Sequence, residues 1–346
     1  MYDIVGKRNL WYAISAVLTI PGLLFIFLGG LKPSIDFTGG TEWEVRYADA
    51  PSAAEMTDAL TELGYEEAVV TELGDGVLRI RTEPIDLIPP GGLDPGPSSA
   101  GPSASASPGA TGPPTASPSA TAEPSPSAEP TPAPIAEGTE FAELEDELQA
   151  RFGEGDPQSV RTVGPIIGAD LIRSSAILIV IGEIFLLAYL WMRFGFRFGS
   201  AAIVALLHDV ILVVGTFAIL GYFFNVEFDA LFVTALLTII AFSVHDTIVV
   251  FDRIRENSVR HAGESFGAIV NHSLLQTMSR SIITSITVAV TLGALVLLGP
   301  PTIRTFGLAL LLGVVSGTYS SIFNASQLLV TWNEWSAKRK ARPART

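Results

Sequence analysis

The sequence predicts an α-helical membrane protein with six transmembrane helices and one α+β domain outside the membrane. Its 346 residues are 48% hydrophobic, which is too apolar for an ordinary soluble protein of this length. Six apolar runs are each about as long as the ~20 residues that cross a bilayer. Between the first and second runs lies a polar stretch in which strand and helix patterns alternate. These three observations together predict the fold class.

The formal net charge of −14 is unevenly distributed. Residues 31–172 contain 25 acidic and 6 basic side chains, a net of −19, which leaves +5 for the rest of the chain. The acidic excess therefore belongs to the region outside the membrane. It argues against nucleic-acid binding, which needs a clustered basic face. The chain has no cysteine, so disulfides and thiolate metal sites are excluded.

The first apolar run, residues 10–31, follows a short N-terminal segment, residues 1–9, that carries Lys7 and Arg8. The run is longer than the core of a signal peptide, and no clear small-x-small cleavage site precedes Lys32. We therefore expect an uncleaved transmembrane anchor with its N-terminus in the cytoplasm.

The domain outside the membrane, residues 32–172, contains four predicted strands and two predicted helices. Ser52 and Thr139 are suitable N-caps for the helices, and the Gly-Asp-Gly turn at 74–76 is typical of a β-hairpin. The order β-α-β-β-α-β is that of a ferredoxin-like domain, a fold without chemistry of its own, so we expect a binding or lever module. The predicted strands are Thr41–Tyr47, with Trp43, Val45 and Tyr47 on one face, Val69–Leu73, Val77–Thr82 and Ser159–Val163, and the helices end at Leu63 and Phe152.

An insert, residues 89–134, separates the two halves of this domain and consists almost entirely of Pro, Ser, Ala, Gly and Thr. Such a composition buries too little apolar surface to offset chain entropy, so the insert is predicted to be disordered and extended. We do not expect it to carry the core function; a surface tether is the alternative role.

Five further spans are predicted after the domain, and their basic residues fix an orientation. All the basic connections fall on one side of the membrane if the N-terminus is inside. The positive-inside rule then places both termini in the cytoplasm and the α+β domain outside. The spans are residues 173–192, 201–223, 229–251, 281–299 and 304–330, with a cytoplasmic loop at 252–280 that contains an amphipathic helix and a basic cytoplasmic tail at 331–346.

Asp246 lies inside an apolar run, residues 230–251, that is long enough to span the bilayer. An ionised carboxylate in hydrocarbon costs about 3 kcal/mol on insertion scales, so such a group faces a protein interior or a water path. Ser243 and Thr247 lie near it on the predicted helix. Two interpretations stay open: a structural hydrogen bond within the bundle, or a titrating carboxylate tuned by a neighbouring cation.

The next span begins with a candidate for that cation. Arg280 is followed at helical spacing by Thr284, Thr287 and Thr291, so two neighbouring spans both present polar stripes. The alternative for Arg280 is a side chain that snorkels to the cytoplasmic boundary.

A second His-Asp pair, His208-Asp209 in the third span, repeats His245-Asp246 of the fourth. Imidazole and carboxylate both bind divalent metals. Adjacent residues on a helix point about 100° apart, however. We therefore expect His208 and Asp209 to form hydrogen bonds within the bundle, with a contribution to a proton path as the sharper alternative.

Two other features lie within the predicted spans. Glu183 is a further carboxylate near the middle of the second span, and the sequence names no partner for it. In the last span Gly313, Gly317 and Ser321 share one face, which favours close packing of helices within the molecule.

Residues 244–257, VHDTIVVFDRIREN, resemble the signature that follows the fourth span in the SecF branch of the SecD/SecF family, subunits of the bacterial Sec translocase. Residues 276–285, with Arg280 and Thr284, match as well, and the resemblance covers essentially the whole chain except the insert. A third match after the first span, Asp36, Phe37, Thr38, Gly39 and Gly40, is shared with SecD members, and the cytoplasmic end of the signature consists of Asp252, Arg253, Arg255, Glu256 and Asn257.

The resemblance implies a multi-pass subunit of the bacterial cytoplasmic membrane, from the superfamily of resistance-nodulation-division transporters. It implies a pairing with SecD and assistance to the SecYEG channel and SecA, with YajC and YidC as further candidate partners. The pair would use the proton-motive force to complete export of unfolded polypeptides, without an enzymatic reaction, a nucleotide or a metal. No phosphate-loop motif is present in the sequence.

The same resemblance suggests roles for individual residues. A proton relay would involve Asp246, Arg280, His245 and Thr247, supported by Ser243, Thr284, Asp209 and His208. The segment 36–40 would be a hinge, or simply a turn between membrane and domain. A proton-coupled exporter of small molecules or lipids is the alternative function, and an intramembrane enzyme, which would need a bound metal, is the third.

Overall fold

The structure is a computed structural model that describes residues 3–74, 76–85, 87 and 139–341. Its contacts divide the chain into two compact units. We call Met1–Gly39 with Pro165–Thr346 the helical unit, and Gly40–Gly164 the α/β unit. Six long apolar helices and a small sheet confirm the predicted fold class. The predicted insert, residues 89–134, lies outside the described residues.

Helices and strands alternate in the first half of the chain, and long helices dominate the second half. The helices are α1 (Arg8–Phe27), α2 (Ile35–Thr38), α3 (Ala53–Glu62), α4 (Glu140–Phe152), α5 (Pro165–Phe194), α6 (Phe196–Phe224), α7 (Ala230–Arg260), α8 (Phe266–Leu298), α9 (Pro301–Ser320) and α10 (Ser326–Ala341). The strands are β1 (Lys32–Pro33), β2 (Gly40–Tyr47), β3 (Val69–Gly74), β4 (Val77–Thr82), β5 (Gly155–Val163) and β6 (Glu227–Phe228). A 3₁₀ turn, Val5–Lys7, precedes α1, and a five-residue π turn, Ser321–Ala325, joins α9 to α10.

The α/β unit has the predicted element order, β-α-β-β-α-β. Its sheet has the strand order β3-β4-β2-β5, and every neighbouring pair is antiparallel. Trp43, Val45 and Tyr47 on β2 are buried, as their alternation predicts. The Trp43 ring meets that of Phe141 on α4 edge-on, with centroids 5.2 Å apart. Ser52 caps α3 in a reciprocal capping box with Glu55.

Strand β5 is longer than the sequence predicts, since it begins at Gly155 instead of Ser159. Pro157 argues against a strand because it has no N–H for the ladder. It is tolerated because β5 lies at the edge of the sheet, where proline belongs. The pairing of β2 with β5 also shifts register between Glu44 and Val45, opposite Ser159 and Pro157.

The helical unit has three central and three peripheral helices. In the apolar windows of α6, α7 and the span formed by α9 and α10, between 39% and 56% of the residues are buried, whereas the figure is 6% to 11% in α1, α5 and α8. Large apolar side chains on the peripheral helices are therefore exposed, as in Phe185 and Val290. Such surfaces suit a lipid environment or a second membrane protein.

The segment predicted as a cytoplasmic loop with its own amphipathic helix, residues 252–280, has a different structure. Helix α7 continues to Arg260, and α8 begins at Phe266, capped by Ser265, and runs without a break into the next span. The apolar side chains Ile269, Val270 and Leu274 are buried, the last two of them in the bundle core. The segment is therefore not a separate helix, and its apolar face is covered by the rest of the chain.

Candidate functional site

Asp246 lies on α7 and is 5% exposed. Its Oδ1 accepts a single hydrogen bond, from Ser281 Oγ on α8, at 3.5 Å, the long limit for such a bond. Its buried Oδ2 has no hydrogen-bond partner among the described residues. A buried carboxyl oxygen without a partner costs about 1–3 kcal/mol. The structure therefore places at Asp246 a polar group whose bonding is incomplete within the described part of the chain.

Asp209 on α6 is the opposite case, with 1% exposure and four hydrogen bonds. Its Oδ1 accepts from Ser316 Oγ at 2.7 Å and contacts His208 Nδ1 at 3.1 Å. Its Oδ2 accepts from Ser243 Oγ at 2.6 Å and from Ser320 Oγ. Each oxygen of an ionised carboxylate accepts about two bonds, so this set saturates it. Asp209 thus ties α6 to α7 and α9.

Ser243 is predicted near Asp246, one helical turn away, but its hydroxyl bonds Asp209 instead. Thr247, also predicted near Asp246, donates to the carbonyl oxygen of Ser243 at 3.0 Å. Both side chains are buried. The polar patch around Asp246 is therefore smaller than predicted, because one of its members belongs to the neighbouring carboxylate.

Close contact between α9 and α7 is what brings the serines to Asp209. A Cβ on Gly317 would lie 3.1 Å from Ser243 Cβ, and a Cβ on Gly313 would overlap with Ile239 Cγ1. The predicted role of these glycines in packing within the molecule is confirmed. Only residues without side chains let the two helix backbones approach this closely.

His245, Arg280 and Thr284 are all exposed on the surface of this chain. Thr284 Oγ1 donates to the Arg280 carbonyl oxygen at 3.0 Å, and Thr287 and Thr291 bond their own helix in the same way. In the part of the chain that the structure describes, Arg280 forms no ion pair with Asp246. The predicted polar stripe exists on α8, and its residues are exposed.

His208 and Glu183 are two further polar groups in the apolar spans. His208 bonds Asp209 through Nδ1, while its buried Nε2 has no partner among the described residues. Glu183 on α5 is partly buried, and no hydrogen bond to its carboxylate is found there. The structure gives Glu183 no role in either of the two sites.

The end of the sequence signature connects three helices. Asp252 on α7 pairs with Arg193 of α5 at 3.1 Å, and Arg255 donates to the Arg193 carbonyl oxygen at 3.2 Å. Arg253 pairs with Glu256 at 2.6 Å and bonds Gln276 of α8. The buried Asn257 donates to Ser273 Oγ at 2.9 Å and to Gln276 Oε1 at 3.0 Å.

The segment 36–40 makes a turn that is bonded to the start of α7. Asp36 Oδ2 accepts from the Ala230 N–H at 3.1 Å, one of the free donors at that helix end. The Phe37 and Phe228 rings are 5.4 Å apart, and Thr38 Oγ1 donates to the Ser34 carbonyl oxygen. Gly39 and Gly40 have φ values of 76° and 131°, which favour glycine. The boundary between the two units falls between these glycines.

Ser316 and Ser320 are functional residues that the sequence reasoning missed, although a signal for them was present. They lie four residues apart on α9, on the same face, and the next residue in that series, Asn324, accepts from Ser15 Oγ at 2.8 Å. A run of small polar residues at helical spacing in an apolar span predicts hydrogen bonds to a neighbouring helix.

Comparisons with known proteins show which family this chain resembles. The family model described as protein export membrane protein SecD/SecF, C-terminal, matches residues 143–335. The protein translocase subunit SecF of Thermobaculum terrenum is 44% identical over 96% of this chain and 94% of its own length. The SecF subunit of Anaerolinea thermophila is 35% identical over 99% of both chains.

A solved structure shares the fold. The crystal structure of SecDF from Thermus thermophilus, described as a translocon-associated membrane protein, matches with a TM-score of 0.74 at 30% identity. The match covers 96% of this chain and 39% of the SecDF chain. The family model matches more than half of this chain, and relatives that are more than 30% identical match it over nearly their full length. This chain therefore belongs to the SecD/SecF family.

Proposed function

We propose that this chain is the SecF-type subunit of a Sec translocase accessory complex that uses the proton-motive force to drive late steps of protein export. A role in protein export follows from the SecF and SecDF relatives. The observation that supports the proton-driven mechanism is the buried Asp246 oxygen without a partner among the described residues. A carboxylate in an apolar span that lacks a full set of bonds suits reversible protonation.

A SecD-type partner is part of this proposal. His245, Arg280 and Thr284 are exposed at the height of an apolar span, where lipid does not satisfy polar groups. A second membrane protein with complementary polar side chains would cover them. In the SecDF relative from Thermus thermophilus, the region like this chain makes up 38% of a longer chain. SecYEG, SecA, YajC and YidC are proposed as further partners by resemblance alone.

In the proposed cycle, Asp246 takes up a proton and releases it when Arg280 approaches as the helices rearrange. One charge that crosses 100 mV supplies about 2.3 kcal/mol, enough to shift a two-state equilibrium. No chemical step on a substrate is proposed, and no cofactor besides the gradient.

The contacts of α7 suggest how the α/β unit would respond. Asp246 lies 16 residues after Ala230 on one continuous helix, about 24 Å along its axis. Ala230 is bonded by Asp36, four residues before the start of the α/β unit at Gly40. The sequence suggests transmission through the first two spans, which flank that unit. We add α7 as a third route.

Export of small molecules or lipids is the competing function. It would be favoured by a large apolar pocket in the α/β unit, since drug-sized ligands occupy about 300–1,000 Å³ of mainly apolar space. A cavity in this unit has a volume of about 240 Å³ and is lined by Tyr65 and three glutamates, Glu66, Glu67 and Glu83. It does not suit an apolar ligand, so polypeptide handling remains the better proposal.

The test is proton-gradient-dependent secretion of a reporter in cells that carry Asp246→Asn. We expect loss of the gradient-dependent part of secretion, with normal amounts of the chain and of its complex with SecD. The matched control is Asp170→Asn, the same change at an exposed carboxylate near the start of α5. Normal gradient-dependent secretion by Asp246→Asn would contradict the relay and leave Asp246 as a structural residue.

A further inference from the structure

A charged cavity lies at one end of the helical unit. It is formed by the end of α5, the last third of α7 and the first part of α8. Its volume is about 800 Å³. Four arginines, Arg193, Arg253, Arg255 and Arg280, and two carboxylates, Asp252 and Glu256, are among its lining residues. The cavity therefore has two more positive than negative side chains.

The two carboxylates are already bound to arginines. Asp252 pairs with Arg193 at 3.1 Å. Glu256 pairs with Arg253 at 2.6 Å and also with Arg260, through its other oxygen, at 2.7 Å. Neither acid is available to the remaining cations of the cavity.

Arg255 and Arg280 are the cations left over. Arg255 donates to a carbonyl oxygen, at 3.2 Å, and is exposed. Within the described ranges, neither Arg255 nor Arg280 has a carboxylate partner. Guanidinium groups bind phosphate through two parallel hydrogen bonds, which makes phosphate the anion best suited to such a pair.

The surroundings of the cavity are apolar and exposed. Val259 lines it and is 79% exposed. On α8, Ile283 and Ile286 follow Arg280 at helical spacing and are also exposed. Met192 precedes Arg193 at the end of α5 and is exposed as well. An anion that carries apolar chains would thus satisfy the arginines and cover these side chains at once.

We propose that this cavity binds the headgroup of an anionic phospholipid, with Arg255 and Arg280 on the phosphate and the acyl chains along the exposed apolar residues of α8. Basic pockets between transmembrane helices bind such headgroups through the same combination of charge and apolar surface. The proposal goes beyond the export function and does not depend on proton transfer at Asp246.

The test measures lipid binding to the purified full-length chain in detergent by native mass spectrometry. The probes are phosphatidylglycerol and phosphatidylcholine with identical acyl chains, each titrated with and without inorganic phosphate. We expect phosphatidylglycerol to bind at least about tenfold more tightly, because the choline ammonium of phosphatidylcholine offsets the negative charge of the same phosphate next to the arginines. Arg255→Gln should remove most of that preference, and Arg255→Lys should restore part of it.

Arg260→Gln is the matched control. Arg260 is a cation at the same end of the bundle and pairs with Glu256, but it does not line the cavity. It should leave the preference unchanged. Equal losses in Arg255→Gln and Arg260→Gln would overturn the site in favour of general charge attraction. Full displacement by millimolar inorganic phosphate would assign the site to a free anion. Loss of the lipid on assembly with the SecD-type partner would assign it to a polypeptide.

Discussion

Asp209 and Asp246 are both buried carboxylates of apolar helices, yet they differ in how their oxygens are bonded. Asp209 has four hydrogen-bond partners on three helices, whereas Asp246 has, among the described residues, one long bond and one bare oxygen. The first therefore holds the bundle together. The second leaves bonding capacity for a proton or for a group from outside the chain. Both carboxylates are buried, so the number of hydrogen-bond donors around them is what distinguishes the two.

The largest expected effect comes from truncating each carboxylate in turn. Asp209→Ala should lower the free energy of unfolding by about 3 kcal/mol or more, because it leaves several buried donors unpaired. Asp246→Ala should change it by less than about 1 kcal/mol, since little bonding is lost. Denaturant unfolding of the purified chain in one detergent measures both. Equal losses would remove the distinction between the two residues.

A side chain at Gly317 should disturb the Asp209 site without removing any of its hydrogen-bonding groups. In Gly317→Val the new atoms meet Ser243, which pushes α9 away from α7 and costs about 1–3 kcal/mol. Gly293→Val on α8 is the control, because a Cβ there has no atom within 4 Å among the described residues. The same unfolding assay compares the two. If both variants lose the same stability, the effect is one of helix propensity and not of packing.

Single serines should sharpen the comparison on a finer scale. Ser320→Ala removes one of four bonds to Asp209 and should cost about 1 kcal/mol. Ser281→Ala removes the 3.5 Å bond to Asp246 and should cost almost nothing, since a bond of that length is weak. Melting temperatures of the two variants, measured side by side, check the order. A larger loss in Ser281→Ala would show that Asp246 is better bonded than its geometry indicates.

Glu145 is a third buried carboxylate, and unlike the other two it lies in the α/β unit and not in an apolar span. Its replacement should have the smallest effect on stability of the changes considered. Its Oε2 is buried without a partner among the described residues, and burial raises the pKa of its carboxyl group. A raised pKa in the folded state means that stability is full at acid pH and falls as the pH rises through that pKa. Glu145→Gln should therefore stabilise the unit by up to about 1 kcal/mol at pH 7 and have no effect below about pH 4.

This change in stability is measured by hydrogen exchange of the α4 amides in the full-length chain, at pH 7 and below about pH 4. Glu147→Gln is the control, since Glu147 is exposed on the same helix. A gain that persists at acid pH would mean that the neutral amide packs better, and that the charge of Glu145 is not the cause.

Local patterns in the sequence were sufficient for much of the fold. The alternation of β2, the caps Ser52 and Thr139 and the apolar runs depend on neighbours within a few residues. The predicted start of α8 was wrong because local patterns do not include contacts with distant segments. The mixture of polar and apolar residues between Ser265 and Arg280 predicts a separate amphipathic helix within a loop. In the structure Val270 and Leu274 are buried against distant segments, and the helix continues into the next span.

The site was harder to predict than the fold, because it depends on which helix faces which. Helical spacing correctly predicts that Ser243 lies near Asp246. The orientation of α6, however, places Asp209 where it accepts the hydrogen bond from the Ser243 hydroxyl. Helical spacing also predicts the stripe that begins at Arg280, but it could not show that these residues are exposed. Long-range packing decides which face of each helix meets its neighbour. A single sequence does not show that packing.

The π turn between α9 and α10 sets how the second half of the last span is rotated relative to the first. A π turn holds one residue more than an α turn, and one residue corresponds to a rotation of about 100°. Because of this extra residue, α9 can direct Ser320 to Asp209 while α10 still buries Leu329 and Val330. A one-residue deletion in Ser321–Ala325 would keep the helix intact but turn everything after it to another face. The number of residues in this turn is thus constrained by orientation, and not by the thickness of the membrane.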